Sequence, residues 1–518
     1  MNKLKLKKLI LLLPAVFYME NSFSQEYNPQ IESYFKKIAG LNQLNGNILL
    51  AKNDKVVFKK SLGYASYDTH ALNTERSRYN LASISKLFTS TAVLQLKDRT
   101  RLVLDDHLVK YLTDFPYADI TIRQLLTHTS GLPDLELFED LVRKYPDTVI
   151  TNKDVLPELK KWKKGLYFKP GDEFRYCNTE YSLLALLVEK LEGVPFEQYL
   201  KEKIFKKAGM NDTYVSIYPG NTVQNDVRAV KMNVMPHPYY DTLYTSVDNM
   251  PEYKYTNYNY SGVIGQSNVI TTTSDLQAFD NAFFSGKLIK AATMEEAFTP
   301  VKLNNGETYY TDHMDTMSGE GRGSYGLGWE IFEQPVYGKS VGHGGFKFGL
   351  ATFYYRNLDR KQTVIGFDNT AGSEFGRVLT SALYLLNDNP PMEIRTDKSV
   401  VRAYGMAMVK KDIDYAMTVF NELKADTSYY LSEWEINNLG YDLLYKSSVK
   451  DHKVKALEVF KIATLAFPES FNTYDSYAQA LAEVGKKEEA IRMYKKSIIM
   501  NPDNEDGKRA LKRITDSK

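Results

Sequence analysis

Apolar positions fall into two alternating regimes along the chain. Short apolar-rich runs at 46–52 and 55–61 flank Asn53-Asp54, the polar pair of a two-residue hairpin turn. Residues 84–98 then carry apolar side chains at helical spacing behind Ser83, a residue type suited to a helix N-cap. The same spacing predicts helices near 152–163, 179–192 and 195–206. Strand-like runs return at 325–332, 341–343, 350–355 and 362–368, before a helix over 373–386. Strands at both ends of a mostly helical middle predict an α/β unit, one antiparallel sheet with helices packed against it.

Pro390-Pro391 marks a change of regime, because strand signals stop there. Beyond it Ala456, Phe460, Ala463 and Pro468 recur as Ala490, Tyr494, Ser497 and Pro502, each 34 residues later. Leu439-Gly440 and Tyr477-Ala478 fill the small-residue corner of a first helix, and Ala416 and Phe420 suggest a degenerate earlier unit. The pattern resembles tetratricopeptide repeats, paired helices that present a groove suited to a protein partner. An unrelated helical bundle is the alternative. Residues 236–262 hold seven of the 38 tyrosines but are interrupted by Pro236, Pro238 and Pro251. They read as a loop, either a lid over a cleft or a self-packed surface segment.

Length changes this picture little: 518 residues imply two or three units. The first 24 residues resemble a secretory signal. Lys3, Lys5, Lys7 and Lys8 precede an apolar run of 11 residues, Leu9 to Met19, with Ser22 and Ser24 at the small positions before Gln25. An uncleaved anchor is the alternative, but the run is short for a membrane span. The expected division is therefore 1–24 signal peptide, 25–390 α/β domain and 391–518 helical repeat, in a periplasmic or secreted bacterial protein with no stable membrane span after cleavage. A formal charge of +2 gives no argument for nucleic acid. The single cysteine, Cys177, excludes disulfides within the chain and reads as a small buried filler.

Three short motifs carry candidate chemistry: Ser83-Ile-Ser-Lys86, Tyr176-Cys-Asn178 and His343-Gly-Gly345. Singly they are weak. SxxK also occurs at Ser33 and Ser447, and YxN at Tyr255 and Tyr355. Their order is the signal. Ser83 at a helix start lies near the positive end of the dipole, with Lys86 one turn on and on the same face. Lys86 is a base only if burial or nearby cations lower its pKa. Tyr176 offers a phenol to share that proton, and Asn178 an amide for Lys86 and for a substrate carbonyl. Gly344 and Gly345 let an acyl group approach the strand that begins at His343. The backbone N–H groups of Ser83 and Phe346 then make an oxyanion hole. Each residue also has a plain structural reading: Ser83 as N-cap, Tyr176 and Asn178 as capping or packing groups, His343 as a satisfied imidazole. No metal or organic cofactor is implied, and the partner expected at the cleft is a small molecule or peptide.

Residues 79–89 resemble the active-site helix of the class C β-lactamase-like serine hydrolases, for which SxxK is a known signature. Ile122 to Pro133 is similar to their "LLxHTSGLP" block. Pro170-Gly171, Phe174, Tyr176, Asn178, Tyr181 and Glu189 match the next block, and Tyr325 to Trp329 with His343 to Gly345 and Gly349 the closing strands. The resemblance spans roughly 30–388. It implies a five-stranded antiparallel sheet plus an all-helical lobe, with Ser83 the acylated nucleophile, Lys86 its base partner and Tyr176 the second proton carrier. Asn178 would serve as a substrate and network group. His343 stands where true class C enzymes usually carry Lys, and a histidine at this position resembles the esterase, D-amino-acid peptidase and penicillin-binding-protein-like branches. A histidine supplies positive charge only partly near neutral pH.

These readings point to a serine hydrolase forming an acyl-Ser83 intermediate on an ester or D-amino-acid peptide. A β-lactamase is the alternative enzyme, and an idle hydrolase domain serving as a cell-wall or protein-binding module the alternative of another class. The match to GxSxG at Gly338-Lys-Ser340-Val-Gly342 lacks the strand-to-helix turn that a nucleophile elbow needs.

Overall fold

The computed structural model describes residues 29–218, 226, 228–231, 233–234, 245–247, 254–310, 322–372, 374–394, 398–446 and 449–516. The segment 1–24, Ser447, and residues 236–244 and 248–253 of the Tyr-rich stretch lie outside them.

The main sheet is built from β1 (Gly46–Lys52), β2 (Lys55–Ser61), β3 (Arg322–Tyr325), β4 (Glu330–Gln334), β5 (Gly338–Lys347), β6 (Leu350–Asn357) and β7 (Gln362–Asp368). Their order is β3-β4-β5-β6-β7-β1-β2, and every neighbouring pair is antiparallel. Seven strands replace the five expected. One reason lies in the run at 325–332, which is not one strand but the end of β3 and the start of β4 with a turn at 326–329 between them. Gly328 takes φ +87°, a left-handed conformation that favours glycine, and a β-carbon there would stand 2.5 Å from Ser90 Cβ. The chain therefore folds back at 326–329, and β3 and β4 pair across that turn.

Four helices frame the sheet: α1 (Pro29–Gly40), α2 (Ser85–Asp98), α3 (Asn178–Glu192) and α4 (Phe375–Leu386). Strand β1 shows why both faces are covered. Ile48 and Leu50 point into one core with α1 and α4, while Leu49 and Ala51 point into a second, larger core with α2 and α3. This two-residue alternation is the pleat itself. Helix α2 lies within the larger core and is buried on nearly every side. Its polar residues are satisfied inside the protein: Thr89 Oγ1 donates to the Gly265 carbonyl (2.6 Å), Ser90 Oγ to Leu327 (2.5 Å) and Gln95 Nε2 to Leu288 (3.1 Å). A helix pinned by these bonds holds its first turn firmly against β5.

Residues 400–516 contribute a third core, formed by Val401, Tyr404, Phe420, Leu439, Phe460 and Ala463 among others. The helices His452–Ala466, Phe471–Glu483, Lys487–Met500 and Glu505–Asp516 follow one another through short turns. Ala456, Phe460 and Ala463 are buried, as are Ala490, Tyr494 and Ser497 one period later. A β-carbon on Gly440 would come within 2.6 Å of the Phe460 ring, which accounts for the small residue at that corner.

The described end of the Tyr-rich stretch packs on the helical lobe. Tyr255 donates to the Leu135 carbonyl at 2.5 Å, and the Tyr260 ring meets Phe138 at 5.5 Å.

Candidate active site

Ser83 lies in a single 3₁₀ turn, Ala82–Ile84, just ahead of α2. This differs from the N-cap reading, since neither its hydroxyl nor its neighbours' side chains cap the helix. Ala82 takes φ +47°, a left-handed conformation unfavourable for a residue with a β-carbon, and its N–H is taken by Asn80 Oδ1 at 2.9 Å. The kink turns Ser83 into a half-buried position with its hydroxyl free of capping duty. Lys86, three residues on, reaches it: Nζ is 3.0 Å from Ser83 Oγ. Ser85 points elsewhere and accepts the Val269 N–H at 3.1 Å.

Lys86 is completely buried, and its Nζ also donates to Asn178 Oδ1 (2.8 Å) and the Gln266 carbonyl (3.2 Å). Burial lowers its pKa to about 7, against the opposing pull of Asp134, Glu180 and Glu330. The Tyr176 ring lies under the amine, 4.7 Å from Nζ to centroid. Burial holds the Tyr176 phenol well above its ordinary value, only partly offset by a hydrogen bond with Ser83. The phenol therefore keeps its proton.

Asn178 opens α3 and is held by Asp134. Its backbone N–H donates to Asp134 Oδ1 at 2.7 Å and its Nδ2 to Oδ2 at 3.0 Å. That fixes the amide so that Oδ1 faces Lys86. Asp134 was not among the residues singled out from the sequence. Its signal was its place directly after Gly131-Leu-Pro133.

The 122–133 block is a scaffold beneath this group. His128 packs under Tyr176 with ring centroids 4.3 Å apart, and its Nδ1 accepts the Cys177 N–H at 3.2 Å. Burial raises the Glu180 carboxyl well above the usual range, and it meets His128 Nδ1 at 2.5 Å while accepting from Ser130 Oγ at 2.5 Å. Cys177 itself is buried, and burial pushes its thiol up.

His343 closes the group on β5, with its ring 6.2 Å from that of Tyr176. Both nitrogens are engaged: Nδ1–H donates to the Gly344 carbonyl (2.6 Å), and Nε2 accepts from Tyr325 OH (2.9 Å). Burial, with Lys86 nearby, lowers its pKa to about 3. The imidazole is therefore neutral throughout the working range. It supplies no partial charge to a substrate near neutral pH, contrary to the expectation from its reference pKa. Its side chain is 1% exposed, so it acts on the cleft through Tyr325 and Tyr176.

The two glycines after His343 differ. A β-carbon on Gly345 would stand 2.3 Å from the Leu81 carbonyl and from Thr352 Oγ1, and 3.2 Å from the Ser83 nitrogen. One on Gly344 would meet only the Phe353 ring, at 3.8 Å. Gly345 is thus the residue that lets β5 lie against the Ser83 turn. Phe346 follows it and is 63% exposed. Gly345→Ala is expected to lower kcat/KM by about 10²-fold through displacement of the Ser83 turn. Gly344→Ala should have a much smaller effect in the same ester assay.

Ser340 is excluded as a competing nucleophile by its place within β5, where it is buried and bonds to Tyr355 OH at 2.6 Å. Ser33 is exposed on α1, far in sequence from these groups.

Comparison with known proteins bears on the family of the chain. The β-lactamase family model matches residues 35–399. Penicillin-binding protein 4* of Bacillus subtilis (strain 168) is 32% identical over 345 residues, covering 67% of this chain and 72% of that one. Among solved structures, a penicillin binding protein from Bacillus halodurans superposes with a TM-score of 0.56 at 24% identity, covering 68% of this chain and 99% of that chain. The D-amino acid amidase of Ochrobactrum anthropi SV3 does so with a TM-score of 0.54 at 18% identity, covering 69% of this chain and 98% of that chain. With the family model spanning well over half of its length, the chain belongs to the β-lactamase family of serine hydrolases.

Proposed function

We propose that this hydrolase acts outside the cytoplasm on an ester, or on a peptide or amide containing a D-amino acid, through an acyl enzyme on Ser83. The observation that carries the reading is the Lys86 amine, buried, lowered to about 7 and 3.0 Å from the Ser83 hydroxyl. A lysine in that state takes up a proton readily near neutral pH. Lys86 removes the Ser83 proton as Oγ attacks the carbonyl carbon. The backbone N–H groups of Ser83 and Phe346 receive the oxyanion. Tyr176, held protonated, gives its proton to the departing atom and regains one through Lys86. Water then attacks the acyl carbon and frees Ser83. Asp134 and Asn178 keep the lysine aimed throughout.

Export rests on the basic-then-apolar segment at 3–19. Among the described residues no helix is long and apolar enough to cross a membrane. Residues 391–518 are read as a separate unit of tetratricopeptide type with a protein partner, on the strength of the 34-residue recurrence.

A β-lactam presents a fixed carboxylate that calls for a permanent cation, and the neutral His343 does not provide one. Wild-type protein should hydrolyse a short-chain p-nitrophenyl ester and turn over nitrocefin slowly or not at all at about pH 7. Fast nitrocefin hydrolysis would instead favour the β-lactamase assignment.

The pH profile tests the base. Below about 7 Lys86 is an ammonium and accepts nothing, so kcat/KM should rise with pH through that value and level off above it. His343, held at about 3, adds no second limb. A flat profile between about pH 5.5 and 8.5 would show that a lysine base lowered by burial is not in use.

A further inference from the structure

Strand β5 runs on past the end of β4. Residues Gly338–Gly342 pair with β4, whereas His343–Lys347 pair only with β6 on the other side among the described residues. The β4-facing edge of that second half is the open edge beside Ser83. Its Gly344 N–H is not bonded to a strand. It donates instead to Glu330 Oε2 at 3.1 Å, and Glu330 Oε1 lies 3.6 Å from His343 Nδ1. Glu330 thus places a carboxylate on the edge of the cleft, with 17% of its side chain exposed.

Side chains and backbone groups on a strand repeat every second residue, so the Phe346 N–H faces the same edge about 7 Å further along. Glu330 therefore flanks the oxyanion hole. It lies on the flank of the proton donor, since it acts electrostatically on both Tyr176 and Lys86, and the Tyr176 ring adjoins that of His343. A departing atom takes its proton from Tyr176 in the reading above, on which this inference rests. The carboxylate consequently faces the leaving group and not the acyl group.

Burial raises the Glu330 pKa to about 7, against the Gly344 N–H and the Lys86 amine, so the group is a carboxylate at about pH 8, and among the described residues Lys86 is the one cation acting on it. Lys86 must be neutral to accept the Ser83 proton, which leaves the carboxylate without a counter-charge at the moment of reaction. A buried unpaired carboxylate is costly, and a cation from the substrate removes that cost. We propose that Glu330 forms a leaving-group subsite for a cation, so that the preferred substrate is an ester, thioester or amide whose departing alcohol, thiol or amine bears an ammonium group a few bonds from the scissile atom. The carbonyl carbon gains a bond to Ser83 Oγ and loses its bond to the departing heteroatom. The Ser83 proton passes to Lys86, and the Tyr176 proton passes to the departing atom. A leaving group ending in a carboxylate meets Glu330 as a like charge in a confined site and is disfavoured.

Three acetyl thioesters that differ only in the departing thiol test this with the full chain at low salt and about pH 8, following thiol release: acetylthiocholine (cationic), S-propyl thioacetate (neutral) and S-acetyl-3-mercaptopropionate (anionic). The expected order of kcat/KM is cationic above neutral above anionic, with about tenfold or more between the extremes, and Glu330→Gln should bring that ratio close to one. Should Glu330→Gln fail to fold, wild-type protein still decides. Choline should compete with S-propyl thioacetate and propionate should not. Equal turnover of the three thioesters, or a ratio that survives Glu330→Gln, would overturn the subsite while leaving the hydrolase reading intact. Absence of Ser83-dependent turnover of all three would overturn the hydrolase reading and the subsite with it.

Discussion

Replacing Ser83 by alanine is expected to lower ester turnover by about 10³-fold or more, the usual cost of removing a covalent nucleophile. Among the described residues no nearby hydroxyl is placed to substitute. Ser85 is turned away and accepts the Val269 N–H, and the Tyr176 phenol is held protonated by burial. The Cys177 thiol is buried and pushed up, so it offers no thiolate. Residual activity should come from the oxyanion hole and binding alone. The fold should survive, because the Ser83 side chain caps neither the 3₁₀ turn nor α2. A Ser85→Ala control should remain active. Ser83→Ala protein with near-normal turnover would mean that the chemistry lies elsewhere.

Lys86 should be almost as costly to lose. Lys86→Met keeps the apolar stem and removes the amine, which takes away the proton acceptor 3.0 Å from Ser83 and the donor to Asn178 and Gln266. Residues that act as a unit show non-additive losses, so Ser83→Ala/Lys86→Met should be little slower than Ser83→Ala alone. Losses that multiply would instead mean that the two side chains serve independent steps. Lys86 is also completely buried among polar partners, so the variant leaves the Asn178 carbonyl oxygen without its donor. A thermal melt run beside the kinetics separates lost stability from lost chemistry.

Local pattern carried much of this architecture. The hairpin around Asn53-Asp54 and the helices near 84–98 and 179–192 stand close to their expected bounds, because pleat and helix periodicity are visible in consecutive residues. The Ser83–Lys86 contact was legible for the same reason, since three-residue spacing on a helix puts two side chains on one face. What local pattern does not hold is the company a residue keeps. The 325–332 run reads as one strand until Ser90, more than two hundred positions earlier, leaves no room beside Gly328. His343 looks titratable near neutrality from its type alone, yet Tyr325, Lys86 and burial fix it as a neutral imidazole. Asp134 and Glu330 are ordinary carboxylates in the sequence, and each gains its place in the cleft only when a distant segment folds against it. The Ser83 turn departs from a simple N-cap because Ala82 is held in a left-handed conformation, with its N–H bonded to Asn80.

Mass spectrometry of the wild-type chain after reaction with a fluorophosphonate probe locates the nucleophile itself. The nucleophile reading predicts one stoichiometric adduct, on the peptide containing Ser83, absent from Ser83→Ala protein and strongly slowed in Lys86→Met. An adduct on Ser85, Cys177 or Ser340 in its place would contradict it.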